Sequence, residues 1–175
     1  MQILRKKELI MGLFDKLFGK KEEINPNFIY APMAGNAVEI AKVPDPTFAE
    51  GLLGQGIAIE PTDGKVYAPV NGTVDTMFET GHAVSLVSEN GMEILIHVGL
   101  ETVGLNGAPF QVKCQNGQKV KKGDLLFVAD LEAIKAAGLP TITPVLVCNS
   151  DDYTTFHTVT GKTVAAGEMI MELGK

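Results

Sequence analysis

From residue 28 onward the chain alternates short apolar runs with clusters of Gly, Pro, Asn and Asp, the pattern of strands cut by turns. Residues 83–88 and 92–98 read as two strands. Between them Asn90-Gly91 is a strong two-residue hairpin signal, because both residue types tolerate the positive φ of a type I′ turn. A two-residue loop there makes Glu89 face Met92, Val84 face His97 and His82 face Gly99. Side chains alternate with period two, so His82 and His97 are expected on one face as diagonal neighbours, about 7–8 Å apart at the backbone.

Two internal echoes run through the same region. Ala31-Pro32-Met33-Ala34-Gly35-Asn36-Ala37-Val38 is answered by Ala68-Pro69-Val70-Asn71-Gly72-Thr73-Val74. Gly117-Gln118-Lys119-Val120-Lys121-Lys122-Gly123-Asp124 is answered by Gly161-Lys162-Thr163-Val164-Ala165-Ala166-Gly167-Glu168, and each runs into an apolar strand. Paired β units of this kind predict an all-β fold, an antiparallel β-sandwich built from two related halves with at most short helices. One helix is expected at residues 130–137, where Leu131 and Ile134 share a face and Gly138 then Pro140 end it.

The first 27 residues differ. Leu13, Phe14, Leu17 and Phe18 form an apolar stripe at helical spacing with Lys16, Lys20 and Lys21 close by. Residues 1–27 are therefore expected to be a basic amphipathic tail capable of weak peripheral contact with anionic lipid, and residues 28–175 a single domain. Met11 begins a stretch that also reads as a natural start.

Composition narrows the function classes. Hydrophobic residues make up 45% and charged residues 21% of 175, the balance of an ordinary globular domain. A formal net charge of −6 argues against nucleic acid as a partner, since phosphate-backbone binding needs clustered Lys and Arg. Cys114 and Cys148 form no CxxC pair and no apolar leader is visible, so a reducing cytoplasm is the expected compartment.

The chemistry centres on the histidine pair. A neutral imidazole is a competent nucleophile at neutral pH, because histidine titrates near about 6.5. A second imidazole on the same face can donate to phosphoryl oxygens, and the two can equally share a metal ion. Phosphoryl transfer and metal binding both stay open on spacing alone. His157 has no such company.

The segments Val43-Pro44-Asp45-Pro46-Thr47-Phe48-Ala49-Glu50, Gly54-Gln55-Gly56-Ile57-Ala58-Ile59-Glu60-Pro61-Thr62, Phe78-Glu79-Thr80-Gly81-His82-Ala83-Val84-Ser85 and Ile94-Leu95-Ile96-His97-Val98-Gly99-Leu100-Glu101-Thr102-Val103 together resemble the glucose-class enzyme IIA family of the bacterial sugar phosphotransferase system. The resemblance runs in order over residues 28–175. It implies a β-sandwich phosphocarrier that accepts a phosphoryl group from the phosphohistidine carrier protein and donates it to a cysteine of a IIB domain during sugar uptake. It makes His97 the phosphoryl acceptor and His82 its supporting donor, with Thr80 hydrogen-bonding nearby. Phe48 falls in the apolar docking rim, Asp45 matches a flanking acid, and Glu101 stands where the family usually has Asp. The resemblance implies no required cofactor. Some members regulate permeases and kinases, and zinc at the His82–His97 pair, completed by a partner's carboxylate, is one such mode.

Three other readings compete. A biotinyl or lipoyl carrier shares the Ala31-Pro32-Met33-Ala34-Gly35 style of turn but needs a presented lysine in a Met-Lys turn, which is absent. A zinc peptidase of the lysostaphin type needs an H-x-H pair, also absent. A regulatory module that only binds partners is separated from a carrier by the presence of labile phosphate.

Overall fold

The structure is a computed structural model that describes residues 23–175. The amphipathic stripe at residues 13–18 lies outside the described residues. The strands are β1 (Phe28–Tyr30), β2 (Gly35–Glu39), β3 (Gln55–Pro61), β4 (Lys65–Tyr67), β5 (Gly72–Met77), β6 (Ala83–Ser88), β7 (Glu93–His97), β8 (Phe110–Val112), β9 (Lys119–Val120), β10 (Leu125–Ala129), β11 (Thr143–Val147), β12 (Thr155–Thr158), β13 (Lys162–Val164) and β14 (Met169–Gly174). All pairs are antiparallel. One eight-stranded sheet runs β13-β2-β3-β11-β7-β6-β5-β9, and two three-stranded sheets run β1-β14-β12 and β4-β10-β8.

That order reads as two related halves. β13-β2-β3-β11 in one half answers β9-β5-β6-β7 in the other, and β1-β14-β12 answers β4-β10-β8. The echoed segments hold the halves together reciprocally: Tyr30 N–H donates to the Pro69 carbonyl at 3.0 Å and Tyr67 N–H to the Pro32 carbonyl at 2.8 Å. Gly35 pairs Pro61 as Gly72 pairs Ser88, and carrying that correspondence across the sheet makes Val145 the counterpart of Ile96. These two residues pair with each other, so the pseudo-twofold axis passes through them. His97, one residue on, has Leu146 as its counterpart.

Inward residues of the central strands fill the space between the layers. Ile57, Ile59, Val84, Leu86, Ile96, Val145 and Val147 are fully buried, each burial contributing about 1.5–3 kcal/mol relative to exposure. A smaller apolar cluster of Val43, Phe48, Ala58, Leu100 and Leu146 packs separately from this core. Among the described residues no helix is long and apolar enough to cross a membrane.

The helix expected at 130–137 forms as α2 (Leu131–Ala136), after α1 (Pro46–Ala49). The Asp130 carboxylate accepts from Ala133 N–H at 3.0 Å at its start, and Gly138 takes a φ of 77° beyond its end. α1 is one short turn with Asp45 as N-cap, accepting from Thr47 N–H at 2.9 Å, and Pro46 in its first turn.

The β6–β7 hairpin departs from the two-residue turn. Gly91 N–H donates to the Ser88 carbonyl at 3.0 Å, Ser88 N–H donates to the Met92 carbonyl at 2.9 Å, and only Gly91, at φ 90°, is left-handed. The loop is therefore Glu89-Asn90-Gly91, a three-residue connection with glycine in the left-handed position. Side-chain bonds favour it: Ser88 Oγ accepts from Met92 N–H and donates to Asn90 Oδ1, while Asn90 Nδ2 donates to the Pro26 carbonyl. The register shifts by one residue, so Ala83, not Val84, faces His97.

Candidate functional site: a pair of neutral imidazoles

A one-residue slip moves every side chain to the other face, so strict alternation in the observed register would separate His82 from His97. The rings nevertheless stand 4.9 Å apart, edge to face at 80°. They meet because His82 lies just before the first residue of β6, directly after Gly81 at φ 70°, where the chain is not yet bound to the strand's alternation. A methyl at Gly81 would come within 2.9 Å of the Phe110 Cβ. The two histidine segments are tied together by Val98 N–H, which donates to the His82 carbonyl at 2.8 Å.

Each ring has one nitrogen committed. His97 Nδ1 lies 2.8 Å from the Gly99 carbonyl, and a carbonyl can only accept, so Nδ1 carries the proton and Nε2 of the neutral ring carries the lone pair. His82 Nδ1 lies 2.6 Å from Thr80 Oγ1, a hydroxyl that can serve as donor or acceptor. Phenylalanines flank both rings: Phe48 is 5.0 Å from His97 and Phe78 is 5.5 Å from His82, centroid to centroid. Phe48 is buried, whereas Phe78 keeps 39% of its surface exposed.

These surroundings set the charge state. Burial, and secondarily the neighbouring His97, pushes His82 down to about 4. Burial also lowers His97, opposed by hydrogen bonds to the Gly99 carbonyl and its own backbone and by the charge of Asp45. Both rings are therefore neutral at pH 7. Asp45 does two jobs, capping α1 and placing a negative charge near His97.

The structure brings His82, His97, Thr80, Phe48 and Asp45 into one site. Glu101 is exposed at a left-handed φ of 60°, and its side chain does not cap the 3-10 turn Thr102–Leu105 that it begins. His157 sits exposed on β12, at a sheet edge. Phe78 and Thr102 lie within the family-like segments, but spacing alone gives neither a role. Phe78 completes the aromatic border. Thr102, fully buried, donates from Oγ1 to the Val98 carbonyl at 2.6 Å and holds the turn after His97.

Among the described residues no three His, Cys, Asp or Glu side chains converge on a metal position. Two imidazoles with Nδ1 already committed nevertheless fit as half of a tetrahedral zinc shell, whose other ligands a partner would have to bring.

Comparison with known proteins gives the lineage. The family model for "phosphoenolpyruvate-dependent sugar phosphotransferase system, EIIA 1" matches residues 27–153. A glucose-specific EIIA component of Staphylococcus epidermidis is 44% identical over 157 residues, covering 89% of this chain and 95% of the relative. One from Haemophilus influenzae is 39% identical over 166 residues, covering 94% of this chain and all of the relative. The solved structure of glucose permease IIA from Mycoplasma capricolum superposes with a TM-score of 0.78 at 33% identity, covering 82% of this chain and 93% of that one. The chain, an antiparallel sandwich matched over most of its length by such relatives, belongs to the EIIA 1 family of the phosphoenolpyruvate-dependent sugar phosphotransferase system.

Proposed function

We propose that the protein is a glucose-class phosphocarrier that takes a phosphoryl group onto His97 Nε2 from the phosphohistidine carrier protein and passes it to a cysteine of a IIB domain in the cytoplasm. The observation that carries this reading is the hydrogen bond from His97 Nδ1 to the Gly99 carbonyl, which leaves Nε2 unprotonated beside a second neutral imidazole.

The step balances without moving a proton on this chain. The P–N bond to the donor histidine breaks as a new bond forms to His97 Nε2, and the Nδ1 proton stays with the Gly99 carbonyl. The phosphorylated ring then carries positive charge that this carbonyl stabilises. On donation the cysteine thiolate attacks phosphorus, the P–Nε2 bond breaks, and neutral imidazole leaves. His82 assists if the Thr80 hydroxyl donates to its Nδ1, because Nε2–H then becomes a donor to the phosphoryl oxygens in the crowded transition state.

Phe78, exposed beside His82, offers the apolar surface on which both partners dock, while Phe48 is buried against the His97 ring. Leu52, Leu53 and Val103 are further exposed apolar residues, on the turns after α1 and Glu101, and Asp45 and Glu101 add negative charge for basic partner residues. Zinc, if bound, would be held by His82 and His97, the latter through its Nε2 lone pair, together with a partner's carboxylate. It would therefore compete with phosphate for the same atom.

The test is incubation with phosphoenolpyruvate and the two general carrier proteins, followed by mass spectrometry. One acid-labile phosphoryl adduct on His97 is expected. Label on His82 or His157, or none, overturns the assignment.

A further inference from the structure

We propose that Thr102 is a positioning residue for phosphoryl acceptance, acting through the Val98–Gly99 peptide that it pins to keep the proton of His97 on Nδ1. The inference rests on His97 as the acceptor.

Gly99, whose carbonyl accepts the Nδ1 proton, lies between two peptide groups at a left-handed φ of 74°. The peptide after it is held by Leu100 N–H, which donates to the Pro140 carbonyl at 3.2 Å. A trans peptide is planar, with its C=O opposite its N–H, so anchoring Leu100 N–H to Pro140 turns the Gly99 oxygen back toward the imidazole. The peptide before it is held by Thr102, whose Oγ1 donates to the Val98 carbonyl at 2.6 Å. Val98 N–H in turn donates to the His82 carbonyl at 2.8 Å. Thr102 thus anchors the residue that joins both histidine segments.

Its γ-methyl adds a steric constraint. It occupies the space beside Gly99, only 2.6 Å from where a Gly99 Cβ would stand. Thr102 is fully buried, so water cannot replace its hydroxyl at the Val98 carbonyl. Without that bond the Val98–Gly99 peptide can rotate, and Gly99 has the conformational freedom to follow it. The Gly99 oxygen, then held only through the 3.2 Å bond of Leu100 N–H to Pro140, can leave Nδ1, the proton can settle on Nε2, and the nucleophilic lone pair is lost from the attacking position.

Thr102→Val removes the hydroxyl and keeps the shape, while Thr102→Ser keeps the hydroxyl and removes the methyl. The first readout is the tautomer of His97 in the unphosphorylated full chain, from ring ¹⁵N shifts, which needs no partner protein. The wild type and Thr102→Ser are expected to hold the Nδ1–H form, and Thr102→Val to show a mixture with Nε2–H. The second readout is the initial rate of phosphoryl uptake, expected within about twofold of wild type for Thr102→Ser and about tenfold to a hundredfold slower for Thr102→Val, the scale of a small misplacement of a reacting group. A Thr102→Val chain with wild-type tautomer and rate overturns the proposal. So does a Thr102→Ser chain that fails as badly as Thr102→Val, since packing would then carry the effect.

If Thr102→Val does not fold, the wild type still decides. The Thr102 hydroxyl proton is expected to be visible and slowly exchanging, and rapid exchange with solvent overturns the anchoring bond. Phosphate found away from His97 with the tautomer results intact would instead count against the acceptor assignment alone.

Discussion

The ring of His97 meets the ring of His82 edge to face, yet the two differ in what holds them: a backbone carbonyl for one, a threonine hydroxyl for the other. A nucleophile and its assistant should fail differently. His97→Gln has no ring nitrogen to attack with and is expected to abolish phosphate uptake. His82→Gln keeps an N–H donor, so His97 should still be labelled, with onward transfer slowed by up to about a hundredfold. Labelled-phosphate incorporation under identical conditions checks both, and uptake by His97→Gln with none by His82→Gln would reverse the roles.

The depressed value of His82 predicts a pH dependence of stability. In the folded protein it titrates at about 4, against 6.5 for an unperturbed imidazole. Between those values the unfolded chain binds a proton that the folded chain refuses, so the unfolded state binds more protons and stability rises with pH. The contribution is full above pH 6.5 and is lost as pH falls toward 4. Urea midpoints should drop more steeply over that window in the wild type than in His82→Gln. Equal slopes would show that His82 is not held neutral by the fold.

Gly99→Ala tests the turn that presents the carbonyl. The new methyl would stand 2.8 Å from the Pro140 carbonyl oxygen and 2.6 Å from Thr102 Cγ2, at a φ that L residues avoid. A loss of about 2–4 kcal/mol is expected from conformational strain and overpacking together. Gly91→Ala is the comparison, because Gly91 is also left-handed, at φ 90°, but meets nothing within 4 Å. Its loss should stay at about 1–2 kcal/mol. Equal losses in denaturant titrations would remove the role of the Pro140 contact.

Glu101 gives the opposite sign. It takes a left-handed φ of 60° that Asp adopts more readily than Glu. Glu101→Asp is expected to stabilise the fold by a few tenths of a kcal/mol up to about 1 kcal/mol while keeping the charge. A rise in thermal midpoint checks it, and a fall would show that the longer arm makes a compensating contact.

The sequence was most legible where turn chemistry is local. The Ala31–Val38 and Ala68–Val74 echoes carry their own Pro and Gly punctuation, and they fold as the matching ends of the two halves. Gly138 and Pro140 announced a stop after residues 130–137, and α2 obeys it. Asn90-Gly91 misled by one residue because the hydroxyl of Ser88 and the contact of Asn90 with Pro26 select a longer loop. Pairing His82 with His97 from alternation gave the right neighbours by the wrong route, since Gly81 frees His82 from the strand. The grip of Pro140 and Thr102 on Gly99 was invisible, for it joins segments that meet only in the folded chain.

The nested arrangement of the halves also bears on biosynthesis. β4 to β10 are contiguous in the chain and close largely among themselves, with the histidine hairpin β6–β7 inside them. The other half is split around this insert, so β1 must wait for β14 and β3 for β11. Such distant pairings form late, after a large loop has been closed. On the ribosome both histidines emerge well before Pro140, whose carbonyl anchors the turn after His97. A nascent chain halted before β11 therefore carries the proposed acceptor His97 without the Pro140 carbonyl that fixes the turn after it, and on the proposed function competence for phosphate is expected only when most of the polypeptide has been made.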